Sequence, residues 1–191
     1  MRPSPSPTPS PSRLRRHAAT LVLVVACLGT VATSPPRSPP ATATIGSTLR
    51  LTQDTPRSTR GFVIRVSARD SSEDVRGEVN GLLTARWMPA GPTTSPAPTL
   101  RARLARVDDT QETGRTFTLD TPGASQEWYA GSAYFDTCTL KKGCELEVEL
   151  DFEAQGELGE GTVEVDWKVN AEAYTFTDDA PKGFTVEIQE R

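Results

Sequence analysis

The sequence predicts an all-β protein, an antiparallel β-sandwich of about eight or nine strands in an immunoglobulin-like or jelly-roll-like arrangement, with a closed β-barrel as the alternative. Three observations predict it. Two long segments alternate apolar and polar residues with a period of two. No stretch shows a 3.6-residue period over helical length. Turn-rich segments such as PAGPTTSPAPT and DTPGASQE separate short apolar runs at intervals typical of stacked antiparallel strands.

In chain order, residues 1–32 read as an export signal. Arg13, Arg15 and Arg16 form a basic start, and Ala18 to Ala32 is an uncharged stretch of 15 residues, short of the 18 or more expected of a membrane span. Thr30-Val31-Ala32 offers small residues for cleavage. Val24-Val25-Ala26-Cys27 also resembles the bacterial lipobox, in which the cysteine is lipidated and anchors the mature chain. That resemblance implies lipid attachment at Cys27. Val24 stands where leucine is preferred, and Leu28 and Val31 continue the apolar run, so loss of Cys27 with a cleaved signal is the other reading. Residues 33–47, TSPPRSPPATATIGS, form a Pro/Ser/Thr-rich linker. Polyproline II rises about 3.1 Å per residue, so such a tether reaches roughly 45 Å.

Residues 48–191 form the β-domain, a length suited to one core. Its clearest strand is Cys144–Ala154, where Cys144, Leu146, Val148, Leu150, Phe152 and Ala154 alternate with Glu145, Glu147, Glu149, Asp151 and Glu153. A strand puts all five acids on one face, whereas a helix would scatter them. Thr162–Ala173 repeats the pattern, with Val163, Val165, Trp167, Val169, Ala171 and Ala173 facing inward. Shorter candidates are Thr48–Thr52, Gly61–Arg69, Val75–Met88, Thr99–Val107, Arg115–Asp120, Ser132–Thr139 and Gly183–Gln189. Strands with one apolar and one wet face belong to antiparallel sheets. Cys138 and Cys144, flanking the Lys141-Lys142-Gly143 turn, are expected to form a structural disulfide across a hairpin.

The chemistry is bounded mainly by what is missing. The one histidine, His17, falls inside the signal. The remaining chain therefore has no Ser-His-Asp or Cys-His site and no histidine-ligated zinc, and no free thiol remains once Cys138 and Cys144 are bridged. Gly-rich phosphate loops and EF-hand spacing are absent as well. Without residues 1–32 the chain carries 17 basic and 25 acidic side chains. Such a domain repels nucleic-acid backbone and anionic lipid, which leaves Cys27 as the sole route to a membrane.

The expectation is a non-catalytic exported β-domain that binds or scaffolds at the cell envelope, with an envelope protein or glycan as partner. It would be secreted or envelope-held, in the periplasm or at the outer surface. The alternative is a carboxylate-dependent hydrolase acting on polysaccharide, which needs only two acids across a cleft. No cofactor is expected beyond calcium. If Gly143–Ala154 and Gly161–Ala173 pair as a hairpin about QGELGEG, Glu149 lies near Asp166 and Asp151 near Glu164. Opposed like charges destabilise a sheet, and Ca²⁺ would relieve them. Asp108-Asp109 and Asp178-Asp179 are alternative calcium ligands. Trp128 and Tyr129 read as loop aromatics, one of them available for stacking on a ligand.

Overall fold

Alternation of side chains translates directly into two antiparallel sheets whose apolar faces meet. The computed structural model describes residues 38–69, 71–91, 96–109, 114–135 and 138–191. The expected export signal and Cys27 lie outside these residues. Ten strands follow in order: β1 Ala41–Leu51, β2 Arg57–Ser67, β3 Asp74–Met88, β4 Thr99–Arg106, β5 Arg115–Thr118, β6 Gln126–Tyr134, β7 Cys138–Thr139, β8 Cys144–Gln155, β9 Thr162–Thr175 and β10 Thr185–Glu190. One sheet, here sheet A, runs β1-β9-β3-β6, with the two-residue β7 also on β3. Sheet B runs β10-β2-β8-β4-β5.

The pairings are nested: β1 with β9, β2 with β8, β3 with β6, β4 with β5. A long hairpin whose tip lies between β4 and β5, rolled so that successive pairs fall in opposite sheets, is a jelly roll. β10 adds a strand outside β2. The immunoglobulin-like arrangement and the closed barrel are both replaced by this topology, since the two sheets keep separate strand orders.

The core lies between the sheets. Phe62, Ile64, Leu100, Val148, Leu150 and Phe152 of sheet B meet Val75, Val79, Val163, Val165, Trp167 and Val169 of sheet A, all of them buried. Phe62 and Trp167 touch at 5.4 Å between ring centroids. Each such side chain contributes about 1.5–3 kcal/mol of hydrophobic free energy when fully withdrawn from water.

Several expectations are corrected. The first strand starts at Ala41 rather than Thr48, because Ala41, Ala43 and Ile45 alternate with Thr42, Thr44 and Gly46 and pair along β9 from Ala173 to Val169. Seven residues expected in the linker therefore belong to the sheet. Ser38 is already buried, its hydroxyl accepting from the Thr175 amide at 2.8 Å. The segment holding Trp128 and Tyr129 is not a loop. Both lie in β6, where Ala130 is an extra residue opposite the Gly81–Leu82 step of β3, and this bulge hides the alternation. Gly131 follows at φ 147°, and a Cβ there would sit 2.8 Å from the Leu104 carbonyl oxygen of β4. Only glycine permits that approach.

The disulfide joins Cys138 to Cys144 with a Cα–Cα distance of 5.7 Å, but not across a hairpin. β7 pairs with β3 in sheet A and β8 lies in sheet B. The bridge, with the 3₁₀ turn Leu140–Lys142 between its ends, stitches one sheet to the other. β8 and β9 likewise occupy different sheets, so the expected hairpin about QGELGEG does not form.

Candidate functional site

The two outer faces differ in kind. On sheet B the acid ladder of β8 is flanked by basic strands. Arg65 lies opposite Glu145 and Arg57 opposite Glu153 on β2, while Arg103 lies opposite Asp151 and Arg101 opposite Glu153 on β4. Arg65 Nε donates to Glu145 at 2.8 Å, Arg191 donates to Glu147 at 3.0 Å, Arg57 donates to Glu153, and the Thr59 hydroxyl donates to Asp151 at 2.7 Å. The hydrogen bond from Arg57 holds the Glu153 carboxyl below its ordinary range. Acids so matched form a solvated, neutralised surface.

The outer face of sheet A sets short hydrogen-bonding groups among its charges. Across β1, β9, β3 and β6 its rows read Thr42, Glu172, Glu78, Tyr134, then Thr44, Asn170, Asn80, Ser132. The Asn170 and Asn80 oxygens accept from Thr44 and from the Tyr129 hydroxyl, each at 2.8 Å. Their amide N–H groups remain as donors. At one end of this face an open depression of about 450 Å³ is lined by Arg76, Gly77, Glu78, Tyr134, Phe135, Glu172 and Tyr174. Tyr134 is 59% exposed. The Arg76 guanidinium sits 5.0 Å above the Phe176 ring, which meets Tyr174 edge-on at 5.8 Å. Glu78 and Glu172 stand directly opposite each other, and neither forms an ion pair among the described residues. The sequence reading missed this set, because its members come from three strands and from positions up to 98 apart between Arg76 and Tyr174. The available signal was Asn80 and Asn170 interrupting the charged outward positions of β3 and β9.

The sequence-predicted residues are dispersed. Glu149 and Asp151 point out from sheet B, whereas Glu164 and Asp166 point out from sheet A, so the four expected calcium ligands do not converge. Their hairpin juxtaposition is overturned by the crossover between sheets. Glu164 is instead gripped by Arg86 and Arg50, which donate at 2.7 and 3.0 Å. The Arg86 hydrogen bond, reinforced by both guanidinium charges, lowers its pKa from the ordinary value. Asp166 accepts from Thr48. Asp108 is paired with Arg106 at 2.9 Å and its pKa too is lowered by that hydrogen bond. The Asp179 carbonyl accepts from Thr177. Among the described residues no group of three or more His, Cys, Asp or Glu side chains is placed to hold a metal ion.

Trp128 is half-buried and stacks on Phe117 at 4.7 Å and 25°. It also edges a 250 Å³ depression with Leu82, Thr84, Glu127, Asp166 and Lys168. Tyr129 lies under the Arg115 guanidinium at 5.1 Å while bonding Asn80. Both rings are thus engaged within the domain. No helix among the described residues is long and apolar enough to cross a membrane.

No protein-family model matches the chain, and no curated protein matches it in sequence. The solved structures to which the chain is similar include virus particles and a virus capsid protein. The VP2 subviral particle of infectious bursal disease virus is 13% identical over 79% of this chain and 40% of that one, with a TM-score of 0.35. The broad bean stain virus structure is 12% identical over 76% of this chain and 89% of the other, at 0.31. The decameric BFDV capsid protein is 13% identical over 72% and 99%, at 0.29. This chain spans about two fifths of the bursal disease virus chain. No functional residue is carried over from them, and the jelly-roll assignment rests on the strand pairing of this chain itself.

Proposed function

We propose that this chain is a non-catalytic exported jelly-roll domain with a binding or scaffolding role at the cell envelope, and that the outer face of sheet A is its contact surface. The observation that carries the reading is the asymmetry of the two outer faces. Sheet B presents arginine and carboxylate groups that neutralise each other. Sheet A gathers its ion pairs at Glu164 with Arg50 and Arg86, and elsewhere presents amides, hydroxyls and tyrosines beside an open depression whose charged groups are Arg76, Glu78 and Glu172. Groups already paired with neighbours have little to offer a partner, whereas exposed tyrosine and amide groups suit recognition.

The hydrolase alternative needs one carboxyl in a concave, partly apolar setting that raises its pKa so that it can act as an acid. The shifts that stand out here, at Asp108, Glu153 and Glu164, all run downward through arginine, which argues against that role for these three.

Two measurements test the reading. Full-length protein with a C-terminal tag is expected in the envelope or medium fraction of cells that express it. Fluorescently labelled protein is expected to bind isolated envelope, and the double variant Asn80→Lys/Asn170→Lys is expected to lose that binding while Glu149→Lys on sheet B keeps it. Cytoplasmic retention, or equal sensitivity of both faces, would overturn it.

A further inference from the structure

We infer that the depression at the end of sheet A is a binding site for a neutral, hydroxyl-rich glycan chain. The inference rests on the reading of sheet A as the contact face and names the ligand class that face takes. A pyranose ring has a C–H face and a rim of hydroxyls. An exposed aromatic ring accepts the first, and carboxylates, carboxamides and guanidinium groups bond the second. Tyr134 supplies the exposed ring, and its hydroxyl accepts from Ser132 at 3.4 Å, which ties it down along the sheet. Glu78 and Glu172 supply opposed acceptors beside it. Arg76, held over Phe176, adds a guanidinium to the same rim.

Three further features point to a chain rather than a single sugar, and to a neutral one. The next outward row along the sheet from Glu172, Glu78 and Tyr134 is Thr44, Asn170, Asn80 and Ser132. From Arg76 to Leu82 the β3 backbone runs roughly 20 Å at about 3.3 Å per residue, long enough for several rings. Glu78 and Glu172 together outweigh the one Arg76 charge on this rim, which disfavours uronic acids and other anionic sugars.

The floor of the site is rigid. It is the β3–β9 ladder itself, where Gly77 lies so close to Glu172 and Phe135 that a Cβ would fall 2.3 Å from the Glu172 carbonyl oxygen. Recognition groups on paired strands are pre-organised, so little ordering is needed on binding.

The test is titration of the purified protein with cellohexaose, maltohexaose and N-acetylated chitohexaose, followed by calorimetry and by amide chemical shifts. At least one is expected to saturate below about 1 mM, with shifts centred on residues 76–80, 132–134 and 170–174. Tyr134→Ala is expected to weaken that binding about tenfold, the loss of one stacked ring, while Tyr134→Phe stays within about threefold. Glu172→Gln is expected to weaken it and Arg65→Ala on sheet B to leave it unchanged. Tyr134 is exposed, so its variants test binding without unfolding the core. Absence of saturation by all three sugars up to about 10 mM, or full affinity in Tyr134→Ala, would overturn the inference. If the sugars fail while envelope binding still depends on Asn80 and Asn170, the glycan assignment falls and the contact face stands; if envelope binding fails as well, both fall.

Discussion

Replacing Gly77 by alanine tests the sheet and the site together. Gly77 lies near the start of β3, opposite Ala173 of β9. An alanine Cβ would stand 2.3 Å from the Glu172 carbonyl oxygen, 2.8 Å from Phe135 Cδ2 and 3.1 Å from the Ala173 Cα. Two of the three are backbone atoms of a central strand paired on both sides, so relief requires β3 and β9 to part. Overpacking a well-filled interior costs about 1–3 kcal/mol, and the backbone contacts place this case at the upper end. For a domain of this size about 3 kcal/mol lowers Tm by roughly 6–12 °C. Gly61→Ala is the matched control. It too lies within a strand, but its Cβ would meet only the flexible Arg191 side chain at 3.5 Å. There the smaller entropy of the unfolded chain leaves stability unchanged or raised by up to about 1 kcal/mol. Urea titration followed by tryptophan fluorescence measures both. A loss below about 0.5 kcal/mol in Gly77→Ala, or an equal loss in Gly61→Ala, would refute the packing argument.

Three further outcomes are expected. The double variant Cys138→Ser/Cys144→Ser opens a short ring and should lose about 2–2.5 kcal/mol by loop-closure reasoning, read as a Tm roughly 5–10 °C lower by circular dichroism. Glu164 has a folded pKa below its ordinary 4.5, so its contribution is fully present above 4.5 and is lost as pH falls through the lowered folded value. Melting curves should therefore steepen their decline with pH below about 4.5, and Glu164→Gln should flatten that decline. Millimolar Ca²⁺ added to chelated protein should move Tm by less than about 1 °C, because Glu149 and Asp151 sit on the opposite sheet from Glu164 and Asp166. A rise above about 3 °C would show that calcium binds after all.

The strands were more legible than their neighbours. Alternation in β8 and β9 names nearly every core residue they contribute, since a period of two fixes which face each side chain takes. It says nothing about which strand lies alongside. β8 and β9 are adjacent in sequence and resemble a hairpin, yet the intervening segment crosses the sandwich, and the expected juxtaposition of Glu149 with Asp166 and Asp151 with Glu164 is lost with the hairpin. β1 was trimmed because alanine and threonine carry a weak apolar signal, although Ala41, Ala43 and Ile45 do pack against the core. β6 was misread because its bulge breaks the period between Tyr129 and Gly131. The depression was beyond local pattern altogether. Glu78, Tyr134 and Glu172 become neighbours only through the β6-β3-β9 order, which long-range packing decides.

The nested pairing has a kinetic consequence. β1 has one hydrogen-bonded partner, β9, more than a hundred residues later, and β2 waits for β8. A ribosome that has released only the first two thirds of this polypeptide has produced strands whose complements do not yet exist. Pairings so distant in sequence form slowly. β4 can close on β5 and β3 on β6 first, while β1 and β2 stay without partners until β8 and β9 are made.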